Sequence, residues 1–249
     1  MIKGDSYKFI CYLDDLNAKG TALALYGYAF RFFSQISRVT DFKILADYVE
    51  LMQTKTLSFN EVFAPEISRF ADETLMDQVK LGICFENYMK GILLEKKHIV
   101  HNIKKVKRSE ENKQLVNLKK EQNKRPICIK EYKPLDEFEY DEISKQNTLK
   151  YLSNNTLSYS TLLEKSNYQK LIQIDPKIIA ILKKNRDRRN SLHFLKSTVT
   201  LFGKDTVDDW KLLIDYVNDH IVEAYNKLSE ELDFPKNNKI AIITTANNG

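Results

Sequence analysis

The sequence predicts an all-α fold, an antiparallel bundle of four to five main helices carrying a basic insertion and at most a minor β-hairpin. Three observations predict it. Only 7 Gly and 5 Pro occur in 249 residues, too few turn-formers for a sandwich or barrel. Several long runs repeat apolar residues at steps of three and four, the period of a helix with one buried stripe. Hydrophobic content of 43% with 29% charged residues suits a chain that buries a sizeable core.

Taken in order, residues 1–17 mix Tyr7, Phe9, Ile10, Tyr12 and Leu13 with acids and read as a short strand or ordered arm. From Lys19 to Met52 the spacing is helical, with Leu23, Tyr26, Phe30 and Phe33 on one stripe. Residues 54–65 read as a connection, with Pro65 placed to start a helix. The next helix runs from Asp72 past Val100, and a wheel puts Leu75, Met76, Val79, Ile83, Met89 and Leu93 on one side. Glu86 and Lys90 fall within that apolar face, where a pair loses the hydration an exposed pair keeps, so further polar groups are expected nearby.

Residues 102–150 lose the helical period and read as an insertion, with one strand-like patch, ICIKEY, at 127–132. Helical signals return at Leu157–Leu163 behind a cap at Asn154 or Asn155, and again after the cap pair Asp175-Pro176 as far as Leu182. The last helix spans Asp205–Leu232, where Val207, Trp210, Ile214, Val217, Ile221, Ala224 and Leu228 keep the stripe and Phe234-Pro235 stops it. The tail, 236–249, is expected to fray or to add a strand to ICIKEY. The whole reads as a single domain.

Charge is concentrated. Residues 96–125 hold eleven Lys/Arg against three Glu, a local +8 in a chain whose net charge is +5. Such a run favours a polyanion through counterion release and is also what a solvated helix end and linker look like. No run approaches the roughly 20 apolar residues of a membrane span, and the start MIKGDSYKF lacks a signal peptide's apolar core. Cys11, Cys84 and Cys128 have no metal-type spacing, so reduced thiols in a cytoplasmic protein without membrane contact are expected. His98 and His101 read as a lysine-rich helix end and His220 as a packed boundary residue, and neither metal nor cofactor is expected.

The stretch KKNRDRRNSLHF, 183–194, holds the densest chemistry. On an unbroken helix Arg186 and Arg189 share a face with His193, while Arg188 points about 140° away unless Asn190-Ser191 bends the chain. A guanidinium fork holds phosphoryl oxygens, an imidazole moves protons near neutrality, and Asn190 can orient either. The same cluster is also compatible with a charged helix surface that happens to include a histidine.

An R-x4-6-H motif near the junction of the last two long helices of a bundle resembles the HEPN superfamily, which includes metal-independent endoribonucleases of toxin–antitoxin, abortive-infection and CRISPR effector systems. The motif residues are His193 with Arg188 in the four-residue register or Arg186 in the six-residue one, and Glu86 and Lys90 in CFENYMKGILL resemble the E-x3-K element of some lineages. The resemblance implies an RNA-cleaving homodimer whose two motifs face each other across a twofold, used in antiphage defence or as a toxin, with an antitoxin or regulatory partner. His193 would transfer protons, an arginine would hold phosphate, Glu86 and Lys90 would support the site, and Lys104, Lys105, Lys107 and Arg108 would meet RNA. The alternative reading is a non-catalytic HEPN-like module that dimerises or binds a nucleotide or partner.

Overall fold

The computed structural model describes residues 13–54, 73–141, 146–193, 204–234, 240, 241 and 243; the side chains of 52, 138–141, 146–148 and 191–193 lie outside it. The chain is mostly helical, with two short two-stranded antiparallel sheets among the described residues. In order come α1 (Asp15–Phe33), α2 (Ser37–Thr40), α3 (Phe42–Gln53), α4 (Thr74–Glu95), β1 (His101–Ile103), α5 (Lys113–Gln122), α6 (Ile129–Tyr132), β2 (Phe138–Asp141), β3 (Gln146–Leu149), β4 (Leu152–Thr156), α7 (Tyr159–Glu164), α8 (Ser166–Ile172), α9 (Pro176–His193), α10 (Lys204–Tyr216), a π-helical turn (Val217–Val222) and α11 (Glu223–Glu231). No described helix is long and apolar enough to cross a membrane. The chain divides into two compact units, Met1–Leu25 with Met89–Gln173 and Tyr26–Tyr88 with Ile174–Gly249.

In the first unit β1 pairs antiparallel with β4, closing the base of the 102–150 segment, and β2 pairs with β3 as a hairpin. The buried Gln122 of α5 finishes the β1 edge: its Oε1 accepts from the Ile103 amide at 2.9 Å and its Nε2 donates to the His101 carbonyl at 2.8 Å. Met89, Leu93, Ile127, Tyr132, Leu162 and Tyr168 are the sealed core here, each worth roughly 1.5–3 kcal/mol by burial.

In the second unit α10 packs against α2, α3 and α9. Tyr26, Phe33, Ile36, Leu45, Phe85 and Ile214 are fully buried. Gly27 on α1 stands so near α11 that a Cβ there would meet the Tyr225 ring at 3.1 Å. The tail is tied to the last helix by two asparagines acting as backbone mimics. Asn218 donates to the Ile243 carbonyl at 2.8 Å and accepts its amide at 2.9 Å, and Asn226 does the same for Ile240 at 3.4 and 3.2 Å.

Several expectations change. The 19–52 helix is three helices, interrupted at 34–36 where Ile36 turns inward. The helix from Asp72 stops at Glu95: Lys97 adopts φ 60°, its amide bonds the Leu94 carbonyl and that of His98 the Leu93 carbonyl, a Schellman closure with lysine where glycine is usual. His98 and His101 therefore lie beyond the helix, His98 bridged to Cys128 and His101 in β1. The α4 stripe is rotated at its start. Leu75 and Met76 are exposed, and Thr74, Asp77, Gln78 and Leu81 are buried instead.

ICIKEY forms one bridge residue and the helical turn α6 rather than a strand. Asn154 and Asn155 lie in β4, and Ser158 caps α7 by accepting from the Thr161 amide at 3.2 Å. The Asp175 carboxylate accepts the Lys177 amide at 2.7 Å, starting α9, which continues past Leu182 to His193. The last helix keeps its stripe but contains the π-helical turn, and His220 is exposed with its ring centroid 4.2 Å from that of Tyr216. Residues 15–17 are helical; residues 1–12, Pro65 and 236–239 lie outside the described residues.

Candidate functional site

A buried polar cluster occupies the second unit. Asp77, 0% exposed on α4, reaches the start of α2, where it accepts the Ser37 amide at 2.9 Å, the Ser37 hydroxyl at 2.5 Å and Nη1 of Arg38 at 2.5 Å. Arg38 Nη2 donates to Thr74 Oγ1 at 2.6 Å. A carboxylate at a helix start with a guanidinium on its other side satisfies several orphan donors at once. Burial pushes the Arg38 guanidinium below its ordinary pKa, Asp77 opposes that shift, and the positive charge of Arg188 adds to it.

Arg38, Thr74 and Gln78 line one side of a cavity of about 20 Å3, and Asn185, Arg188, Thr206 and Trp210 line the other. Asn185 is pinned by donating to the Ile181 carbonyl at 2.9 Å. Two groups here lack hydrogen-bond partners among the described residues: the buried Oε1 of Gln78, and the guanidinium of the half-buried Arg188.

The other motif residues lie elsewhere on α9. Arg186 holds Asp187 at 3.0 Å with 14% of its side chain exposed, Arg189 donates to Asn190 at 3.4 Å, and Asn190 is exposed. The helix is α through His193, so no bend at Asn190-Ser191 brings that position round to Arg188. Along α9, Arg186 and His193 are seven residues apart on one face, while Arg188 and His193 are about 140° apart. The His193 side chain lies outside the described residues.

Lys90 is buried in the first unit and donates to Thr156 Oγ1 at 2.7 Å. The polar surroundings expected around it are β1 and β4: Asn102 donates to the Thr156 carbonyl at 2.8 Å, and His101 is register partner to Thr156. Burial, then the charge of Lys90, brings the His101 pKa down to about 4. Glu86, one turn before Lys90, is half-buried.

Lys104, Lys105, Lys107 and Arg108 are exposed on the irregular stretch between β1 and α5. Much of the remaining basic run is tied down, Lys97 by Asp15 at 2.6 Å, Lys113 by Glu110 at 3.4 Å and Arg125 by Glu121 and Glu131. Lys119 is pushed below its ordinary pKa by burial and then by Lys105.

Sequence reasoning missed Arg38, Asp77, Thr74, Gln78, Asn185 and Thr206. The signal was the spacing Thr74, Asp77, Gln78, Leu81, a buried-stripe period filled with polar groups and hidden by taking Leu75 and Met76 as core. No group of three or more His, Cys, Asp or Glu among the described residues is placed to hold a metal ion. No family model, curated protein or solved structure matches this chain.

Proposed function

We propose that the chain is a metal-independent endoribonuclease of HEPN type, a cytoplasmic homodimer used in prokaryotic antiphage defence or as a toxin and held in check by an antitoxin or regulatory partner. Its finer architecture in this reading is the antiparallel bundle of four to five main helices. The observation that carries the proposal is the unbroken course of α9 through RDRRNSLH, 186–193, which puts positions 186 and 193 on one face while Arg188 lines the inner cavity.

The chemistry needs a base to take the 2′-hydroxyl proton, a cation to steady the phosphorane and an acid to protonate the departing 5′-oxygen. The products are a 2′,3′-cyclic phosphate and a 5′-hydroxyl. One chain supplies one such histidine. A twofold supplies two, with His193 of each copy in proton transfer and Arg186 on the phosphodiester. Glu86 and Lys90 are supporting residues in this reading, and Lys104, Lys105, Lys107 and Arg108 receive the RNA.

A second reading, a non-catalytic HEPN-like module, draws on the inward course of Arg188: a motif arginine beside a buried ion pair is an anchor for α9. Incubation of the purified protein with total RNA in EDTA separates the two. Cleavage to cyclic-phosphate ends that is lost in His193→Ala and in Arg186→Ala, with unchanged far-UV circular dichroism, supports the nuclease. RNA left intact by the parent protein supports the module, and cleavage that requires a divalent metal removes the mechanism.

A further inference from the structure

The cavity between α2, α4, α9 and α10 holds a mismatched pair of needs. Arg188 presents guanidinium donors with no acceptor among the described residues, and Gln78 presents a buried amide oxygen with no donor; the Gln78 residue is 7% exposed. Asp77 is already engaged by Arg38, Glu73 acts on Arg38 from outside the cavity, and no carboxylate among the described residues lines the cavity to meet Arg188. A buried acceptor without a donor costs on the order of 1–3 kcal/mol, so a group that supplies donor and acceptor together is favoured.

We propose that this cavity recognises a phosphate group that still carries a proton, its P–OH donating to Gln78 Oε1 while its other oxygens accept from Arg188. A cavity of about 20 Å3 takes one oxygen-sized group, so the phosphoryl group enters by its hydroxyl and leaves the remaining oxygens at the half-buried arginine. A guanidinium fork suits those oxygens. Carboxylates and sulfate are fully ionised near neutrality and have no proton to offer the glutamine. A phosphodiester has none either, so the site rejects an RNA backbone and takes inorganic phosphate or a terminal phosphate monoester. It is separate from the proposed cleavage site, since positions 188 and 193 lie about 140° apart around α9.

Two sources share this chemistry, and pH distinguishes them. A monoester loses its last proton near pH 6, whereas inorganic phosphate keeps one well above neutrality. The test is thermal unfolding of the full chain in sodium phosphate, sodium sulfate and glycerol phosphate at matched ionic strength, at pH 6 and pH 8. Phosphate is expected to raise Tm by about 3 °C or more over sulfate at both values, and glycerol phosphate at pH 6 more than at pH 8. Gln78→Met should abolish the difference between phosphate and sulfate. Where that variant does not fold, Arg188→Gln, altered at a half-buried position, is read instead and should lose the phosphate shift. Equal shifts from phosphate and sulfate mean an adventitious ion only and overturn the proposal, as do no shift at all or a shift that survives in the variants. RNA cleavage plays no part in this measurement, so its outcome is independent of the nuclease reading.

Discussion

The Arg38 guanidinium and the Asp77 carboxylate meet at 2.5 Å inside the second unit, with 4% and 0% of the two side chains exposed. Asp77 also accepts both the amide and the hydroxyl of Ser37, so one side chain on α4 fixes the start of α2. Removing one partner of such a pair strands the other charge away from water, a loss of roughly 3–5 kcal/mol, whereas replacing both by apolar groups of similar size is far milder. Asp77→Leu is therefore expected to lower the urea unfolding free energy by that amount, and Asp77→Leu with Arg38→Met to recover much of it. A single-variant loss under about 1 kcal/mol would show the pair to be incidental.

His101 carries a pH dependence whose sign is fixed. Its folded pKa, brought down to about 4 by burial and by Lys90, lies below the ordinary 6.5. Below pH 6.5 the unfolded chain takes a proton there that the folded chain refuses until about pH 4. This contribution to stability is complete above 6.5 and is lost as pH falls towards 4. His98, lowered first by its own burial, acts in the same direction. Urea midpoints measured at successive pH values should fall across this window, and His101→Gln should flatten the profile there. A parent midpoint constant from pH 6.5 to 4 rules the effect out.

The helices were legible wherever burial and sequence period agreed. Leu23, Tyr26 and Phe33 are buried as their spacing predicts, as are Trp210, Ile214, Val217, Ile221 and Leu228 on the last helix. What was hidden follows from tertiary context overruling local pattern. Lys97 ends α4 in a left-handed conformation that glycine usually signals, so that closure had no sequence mark, whereas the end of α11, where Asp233 adopts the same conformation, was marked by Phe234-Pro235. At the start of α4 two apolar residues face outward because the interior is committed to Asp77, and a wheel weighted by hydropathy takes the wrong phase. The motif on α9 stood out for its composition, yet its inner partners Arg38 and Gln78 come from α2 and α4, and no local spacing links segments so distant in sequence.

The tail clasp gives a local prediction. Asn218 and Asn226 each offer an amide and a carbonyl to one extended residue, so the two bonds at either position stand or fall together. Each hydrogen bond contributes about 1 kcal/mol net, so Asn218→Ala should speed amide exchange at Ile243 by at least about tenfold while leaving α10 protected. Asn226→Ala should act in the same way at Ile240, more weakly, since its two bonds are longer. Hydrogen exchange read by NMR reports both sites, and unchanged protection at Ile243 in Asn218→Ala means the tail is held by something else.

Finally, the exposed basic stretch is separable from the rest of the charge run. Lys97, Lys113 and Arg125 already face carboxylates, so in the proposed RNA-binding role they would gain little from phosphates. Lys104, Lys105, Lys107 and Arg108 are exposed together on one irregular segment. On single-stranded RNA each phosphate contact contributes about 0.7 to the slope of log affinity against log salt. Replacing all four by glutamine should therefore reduce that slope by about 2 to 3, with Tm nearly unchanged because these side chains bury little. The comparison that isolates the effect is Lys113→Gln with Lys124→Gln, which lowers net charge but touches residues paired with Glu110 and Glu121. Equal slope changes per charge in the two variants, read by fluorescence anisotropy on a labelled oligonucleotide, would mean that net charge alone draws the RNA and that 104–108 is no dedicated surface.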